Sequence, residues 1–142
     1  MSALPNGLAF SVTLSMLDAC VLLVRMRGLV TAASILSLRD RVARDVSGAP
    51  HIQAYVADYR GAVLAMDGAA LDAVLAGQSA DTGAALPAAM IALPDTAPLL
   101  AGHCLRMARR GVLRQVFMTE APAVAWAQLE ASLVRQHLTH LR

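Results

Sequence analysis

The N-terminal part of the chain alternates apolar and polar residues with period two. Apolar side chains occupy the even positions of 8–16, and alanine, serine or threonine occupies the odd ones. After a turn at Leu17 and Asp18 the alternation resumes and places three apolar residues on one face, Leu22, Val24 and Met26. Successive side chains of a strand point to opposite faces of a sheet, so the pattern predicts an N-terminal β-hairpin with one buried face.

Helix and strand signals alternate through the rest of the chain. Apolar spacing and capping residues predict four helices, which begin at Thr31, at Asp67 or Gly68, at Asp95 or Thr96, and at Thr119. Three further strands are predicted at 52–57, 88–93 and 115–118, with Asp58–Gly61 as the loop after the first of them and with Gly48 and Gly77 ending the first two helices. This order predicts an α/β fold: a mixed sheet of about five strands, with an N-terminal hairpin and the remaining strands parallel, flanked by four helices.

Length and composition fit a single domain that spans residues 1–142. Apolar residues make up 57% of the chain and charged residues 15%, whereas soluble domains average roughly 25% charged residues. Such a chain can build one core without disulfides or metal. The apolar excess favours an exposed apolar patch and hence a homodimer.

Charge and cysteine usage exclude several classes of protein. The net charge is only +2, the basic residues are dispersed arginines, and aromatic residues make up 4% of the chain, so we predict no nucleic-acid binding. No uncharged apolar run reaches the roughly 20 residues of a membrane helix, and the N-terminus does not resemble a signal peptide. Cys20 and Cys104 form no Cys-x-x-Cys pair, and we expect two reduced thiols in a cytoplasmic protein.

The sequence carries no recognisable catalytic or cofactor motif. It contains no glycine-rich phosphate loop, nucleophile elbow or His-Glu-x-x-His segment, and its ten acidic residues are scattered. His137 and His140 lack the third ligand that a metal site needs. His103 and Cys104 are adjacent and therefore point apart on a helix, so we expect one exposed and one buried side chain. We predict a protein that is not an enzyme and has no cofactor or metal site.

Two groups of residues are candidates for binding. Asp58, Tyr59 and Arg60 follow the predicted central strand, where ligands of open α/β sheets bind near a topological switch point. The alternative for this segment is a structural loop, in which Arg60 pairs with a neighbouring carboxylate and Tyr59 packs on a helix.

The second candidate group is a set of arginines near the end of the third predicted helix. Arg106 and Arg110 are one turn apart and share a face, and Arg109 and Arg114 are close in sequence. Guanidinium groups in such an arrangement can bind an anion by bidentate hydrogen bonds. The alternative is a solvated helix end, where positive charge suits the helix dipole.

Two short segments and the predicted topology resemble a known family. The segments are His51–Gly61, a strand that leads into Asp-Tyr-Arg-Gly, and Gln115–Thr119, followed by Ala125–Trp126. With the strand and helix order, they resemble the STAS fold of the anti-sigma-factor-antagonist type, and more narrowly the bacterial stage II sporulation protein AA-like group. The resemblance implies a regulatory module that binds a protein partner.

The chain departs from this family at the regulatory serine. In STAS regulators an Asp-Ser turn at the start of a helix carries the phosphorylated serine, and the segment most similar to it here is Asp67–Ala70. Gly68 stands at the serine position, and a phosphoryl group needs a hydroxyl to receive it. The resemblance therefore implies an interaction module without the phosphoacceptor, with Asp67 and Gly68 as binding residues. The alternative is a carrier of a small apolar or lipid-like ligand in a cavity between sheet and helices.

Overall fold

The computed structural model describes residues 9–46, 51–76 and 86–140, in which strands and helices follow the predicted order. The elements are β1 (Ser11–Met16), β2 (Val21–Val30), α1 (Ala32–Val46), β3 (Ala54–Leu64), α2 (Gly68–Ala76), β4 (Ala88–Ile91), α3 (Ala97–Ala108), β5 (Arg114–Phe117) and α4 (Glu120–His140). Gly48 and Gly77, which were predicted to end two helices, lie outside the described residues.

The strands form one mixed sheet in the order β1-β2-β3-β4-β5. β1 and β2 are antiparallel, and β2 to β5 are parallel, which confirms the predicted sheet. Every parallel connection steps to the next strand in the same direction, so right-handed crossovers place α1, α2 and α3 on one face. The described sheet therefore has no topological switch point beside Asp58, Tyr59 and Arg60.

Each face of the sheet has its own core. On the α1–α3 face, the apolar side of the hairpin packs with buried residues of all three helices: Leu22, Val24, Met26, Ile35, Leu71 and Leu100. On the opposite face, three alanines of α4 pack on β2, β3 and β4: Ala123, Ala127 and Ala131 against Val21, Leu23, Val56 and Ile91. The predicted division of the hairpin into two faces is confirmed.

Side chains fix the starts of two helices as the sequence predicted. At the start of α1, the Ser34 backbone N–H donates to Thr31 Oγ1 and the Thr31 N–H donates to Ser34 Oγ, both at 3.2 Å. Before α2, Asp67 Oδ1 accepts the Ala70 N–H at 2.8 Å. These bonds satisfy N–H groups that have no partner within the helix itself.

The prediction of a loop at Asp58–Gly61 is wrong, because these residues continue β3. Arg25 pairs with Asp58 and Arg27 pairs with Gly61, so three steps along β3 match two along β2. The extra residue forms a β-bulge, which lets pairing with β2 resume despite the turn-like composition. β2 passes through Gly28 at φ 83°, a conformation that favours glycine, and the two strands run on together to Val30 and Leu64.

The paired segments Arg27–Val30 and Gly61–Leu64 form the β2–β3 extension. Asp58 pairs with Ile91, the last residue of β4, which in turn pairs with Phe117, the last residue of β5. The extension therefore projects beyond the carboxyl ends of β4 and β5. Asp58 lies level with those ends although it is in the middle of its own strand.

Candidate functional site

Four charged side chains meet where β4 and β5 end, and we call them the Asp58 cluster: Arg25, Asp58, Arg60 and Glu120. Arg60 donates from Nε to Asp58 Oδ1 at 3.0 Å and from Nη2 to Oδ2 at 2.9 Å, a bidentate pair. Arg25 donates from Nε to Asp58 Oδ2 at 3.2 Å and from Nη2 to Glu120 Oε1 at 2.5 Å. Arg60 Nη2 is also 3.5 Å from Glu120 Oε1.

Asp58 is the buried centre of this cluster, with 3% of the residue exposed. Burial alone would raise the pKa of Asp58, but the hydrogen bonds from Arg60 and the charges of Arg60 and Arg25 outweigh it and hold the pKa below its usual value. The carboxylate therefore fixes both guanidinium groups. The side chains of Arg25 and Arg60 remain 37% and 36% exposed, so each still presents donors to solvent.

Tyr59 was nominated with Asp58 and Arg60, but the structure places it elsewhere. Its side chain packs in the core on the α1–α3 face, with 4% of the residue exposed. Burial raises the pKa of its hydroxyl to about 12, and the positive charge of Arg114 opposes this increase. Tyr59 therefore contributes to packing and does not reach a ligand bound at the Asp58 cluster.

The start of α2 is covered by Arg106 from α3. A Cβ atom on Gly68 would lie 3.2 Å from Arg106 Nη2, and one on Gly102 would lie 3.1 Å from Nη1. The two glycines thus leave the space that the guanidinium occupies. Arg106 pairs through Nε and Nη2 with the carboxylate of Asp72 on α2. The structure therefore brings together Asp67, Gly68 and Arg106, which the sequence nominated separately.

The structure does not bring all the arginines of the nominated group into one site. Arg109 and Arg110 are exposed at the end of α3. Arg114 lies on β5, half-buried, and its Nη1 is 2.7 Å from His103 Nε2. We define the α2–α3 surface by Asp67, Gly68, Leu105, Arg106 and Arg110. Leu105 is 68% exposed, although it is a large apolar residue.

A buried histidine links α2, α3 and β5, and no local pattern in the sequence predicted its partners. His103 is 0% exposed, and its Nδ1 is 2.8 Å from Asp72 Oδ1. A guanidinium can only donate, so His103 Nε2 accepts from Arg114 and Nδ1 carries the proton that is donated to Asp72. Burial lowers the pKa of His103; the Asp72 hydrogen bond opposes this, and the charge of Arg114 adds to it.

His103 and Cys104 are both buried, which corrects the expectation that one would be exposed. The Cys104 thiol is 3.7 Å from Met90 Sδ, and burial raises its pKa to about 11. The thiol thus lacks the lowered pKa of a catalytic nucleophile. His103 makes its ring contacts with Asp72 and Arg114, away from this sulfur.

Among the described residues, no group of three or more His, Cys, Asp or Glu side chains could hold a metal ion. The side chains of His137 and His140 lie outside the described part of the chain. Within the described segments, no helix combines the length and apolar character needed to cross a bilayer.

Three solved structures share this arrangement of strands and helices. The anti-sigma factor antagonist SpoIIAA in its unphosphorylated form is 12% identical, with a TM-score of 0.56 over 83% of this chain and 96% of that one. An anti-sigma factor antagonist from Mycobacterium paratuberculosis is 15% identical, with a TM-score of 0.56 over 84% and 95%. Phosphorylated SpoIIAA from Bacillus is 15% identical, with a TM-score of 0.51 over 81% and 97%.

The chain has the STAS fold. At the level of fold, these structures confirm the resemblance found in the sequence. No family model matches the STAS domain described here, and no curated protein matches its sequence. Its function must therefore be argued from its own surfaces.

Proposed function

We propose that this STAS domain is a non-enzymatic regulatory module that binds a partner protein through the α2–α3 surface. The observation that carries the proposal is the shared fold with two anti-sigma factor antagonists, over more than four-fifths of the chain. The buried, high-pKa thiol of Cys104 adds support, because it argues against nucleophilic chemistry in this core.

The α2–α3 surface has the composition of an interface. Leu105 is an exposed apolar residue on α3, the helix that also carries Arg106, and arginine is enriched in protein interfaces. The pairing of Arg106 with Asp72 holds that guanidinium in place before any partner arrives. A preorganised side chain loses less conformational entropy on binding.

We further propose that binding at this surface does not depend on phosphorylation. Gly68 occupies the start of α2, and the segment from Asp58 to Gln78 contains no serine or threonine. Asp67 caps the helix through Ala70. A module built in this way would hold its partner without a kinase, and its regulation would come from expression or competition.

Site-specific crosslinking in the native host tests this function. A photoreactive amino acid is placed at Leu105 or at Ala69 near the start of α2, and at Ala125 on the exposed side of α4 as a matched control. We expect one protein other than this chain to be captured from the two α2–α3 positions and not from Ala125, where a second copy of this chain is the expected product. The captured protein, once purified, should bind the wild-type domain and bind Leu105→Glu at least about tenfold more weakly. Equal capture of that protein from Ala125, or unchanged affinity of the Leu105 variant, would refute this function.

The sequence also allows a carrier of a small apolar or lipid-like ligand. The small, apolar character of the helices motivates this alternative, because it could leave a cavity between sheet and helices. On α4 the alanines Ala123, Ala127 and Ala131 are at most 1% exposed and pack on the sheet, which is another use of small side chains. Native mass spectrometry of the protein purified from its own host tests the carrier, which predicts a bound apolar molecule.

The two cysteines bear on the compartment in which the protein acts. Cys20 and Cys104 are buried on opposite faces of the sheet and form no disulfide. Two separate thiols fit a reducing compartment, so we propose that the module acts in the cytoplasm.

A further inference from the structure

We propose that the uncovered face of the sheet beside the Asp58 cluster is a second binding surface, and that its partner is an extended acidic segment of another protein. The basic sheet face, as we call it, consists of Arg25, Arg27 and Arg60 with Ser11, Thr13 and Val63. It lies on the α4 side of the sheet, opposite the α2–α3 surface. The proposal therefore goes beyond the proposed function and does not depend on it.

The register of the strands defines this face. Ser11 pairs with Arg27 and Thr13 pairs with Arg25, and paired residues share a face. Leu23 and Val56 on the same side are covered by the alanines of α4. α4 begins at Glu120, which contacts Arg25, so the sheet beyond that point lies past the helix.

The β2–β3 extension is exposed on this side. Arg27 and Gly61 are exposed, and Val63 is 51% exposed. A Cβ atom on Gly61 would lie 3.1 Å from Arg27 Cγ, so the Arg27 stem rests across the glycine. The glycine thereby lets an arginine side chain lie along the sheet surface, where a partner would meet its guanidinium group.

The charges on this face do not balance. Asp58 and Glu120 are engaged by Arg25 and Arg60. Arg27 makes no ion pair with any carboxylate in the described residues. Three guanidinium groups thus face two carboxylates, and the exposed hydroxyls of Ser11 and Thr13 add hydrogen-bond donors. The excess charge and the donors both favour an anionic partner.

The spacing of the arginines favours an extended peptide. Arg25 and Arg27 are two residues apart on one strand, a separation of about 6.6 Å. An extended peptide repeats its side chains on one face at the same distance, so acidic residues at alternate positions would meet the two arginines. The exposed Val63 side chain offers an apolar contact to such a segment.

Binding of a defined probe to the full chain tests the proposal. The probe is a short fluorescent peptide that alternates glutamate and threonine, and the control peptide has glutamine in place of glutamate. We expect saturable binding of the glutamate peptide and little binding of the glutamine peptide. In the NMR spectrum of the protein, the glutamate peptide should shift the backbone amide signals of Arg27 and Val63. Arg27→Ala should weaken binding about tenfold, and Arg27→Lys should weaken it less, because the charge is kept.

Arg109→Ala is the matched control, because it removes the same charge from an exposed arginine directly after α3. We expect it to leave peptide binding unchanged, and the NMR spectra of both variants report whether they fold. Absence of saturable binding, or equal loss in the two alanine variants, would overturn the proposal. It would also be overturned if inorganic phosphate or single-stranded RNA, and not the peptide, bound with dependence on Arg27. Crosslinking at Leu105 is unaffected by any of these results, so the two surfaces are tested separately.

Discussion

His103 is held in one protonation state by two neighbours, one of which accepts a hydrogen bond from the ring while the other donates one to it. Asp72 accepts the proton from Nδ1, and Arg114 donates to Nε2. A second proton on the ring would have to be placed between Nε2 and a guanidinium group. The neutral ring is therefore a structural part of the contact between α2, α3 and β5, and this makes stability depend on pH.

We expect the free energy of unfolding to decrease as the pH falls below 6.5, the ordinary pKa of histidine. In the folded protein the pKa of His103 is lowered, chiefly by burial, so the unfolded chain binds a proton at a pH where the folded chain resists it. Urea unfolding at about pH 7.5 and about pH 5.5 measures this difference.

His103→Gln provides the control for this prediction. The variant should be less stable than wild type at the higher pH, because hydrogen bonds are lost, but its stability should change less between the two values. All other residues are the same in both proteins, so their contributions cancel in the comparison. If the free energy of unfolding fell equally in wild type and variant between the two pH values, His103 would not be the cause of the pH dependence.

At this scale the sequence identified side chains but not their partners. It nominated Asp58 and Arg60, and it offered the pairing of Arg60 with a neighbouring carboxylate, which the structure contains. Arg25 and Glu120 could not be added, because 33 residues separate Arg25 from Asp58 and 95 separate it from Glu120. Such contacts exist only after the sheet has brought the strands together.

α2 is attached to the rest of the molecule by few contacts. Leu71 is its fully buried residue, at 0% exposure, among those whose side chains are described. Asp72 adds the bonds to His103 and Arg106 on α3. A helix of nine residues is too short to be stable alone, so these contacts determine whether it forms.

We expect Leu71→Ala to lower the free energy of unfolding by about 2–5 kcal/mol, because it leaves a cavity beneath α2. Leu105→Ala, on the exposed side of α3, should change it by less than about 0.5 kcal/mol. Chemical denaturation measures both variants. Similar losses in the two would mean that α2 is not docked through Leu71.

α4 approaches the sheet through alanines, which makes it sensitive to added volume. Ala127 is 0% exposed, and we expect Ala127→Leu to cost about 1–3 kcal/mol by overpacking. Ala125→Leu adds the same volume on the exposed side of the helix and should be close to neutral. Thermal denaturation of the pair compares them directly, and a stable Ala127 variant would contradict the packing described here.

The sequence predicted the elements well where local signals act. The period-two hairpin, the cap at Thr31 and the cap at Asp67 depend on residues close in the chain. The continuation of β3 through Asp58–Gly61 was missed, because these residues resemble a turn and only pairing with β2 makes them a strand. A β-bulge has no reliable local signal, since the partner strand defines it.

At the scale of the whole molecule, the apolar excess in the composition remains partly at the surface. Leu129 and Leu133 are 58% and 47% exposed, one turn apart on the outer side of α4. A patch of this kind is self-complementary, because the same side chains can face each other across a two-fold axis. The homodimer predicted from composition would use this side of α4.

We expect light scattering after size-exclusion chromatography to give twice the mass of one chain for the wild type. The double variant Leu129→Gln, Leu133→Gln should elute with the mass of a single chain, because the apolar contact is lost. Leu105→Gln removes an exposed leucine from the other face of the sheet and should keep the double mass. A single-chain mass for wild type would exclude the dimer.

The sequential strand order affects how the molecule can be made. Each strand pairs with the one that precedes it in the chain, so no later strand has to be inserted between two that are already paired. The sheet can therefore grow from one side as the nascent chain leaves the ribosome. α4 follows all five strands in the chain, and until it has been made Val21, Leu23 and Val56 lack the alanines that pack on them. The interval between the synthesis of β5 and that of α4 is thus the one in which this sheet most needs protection from aggregation.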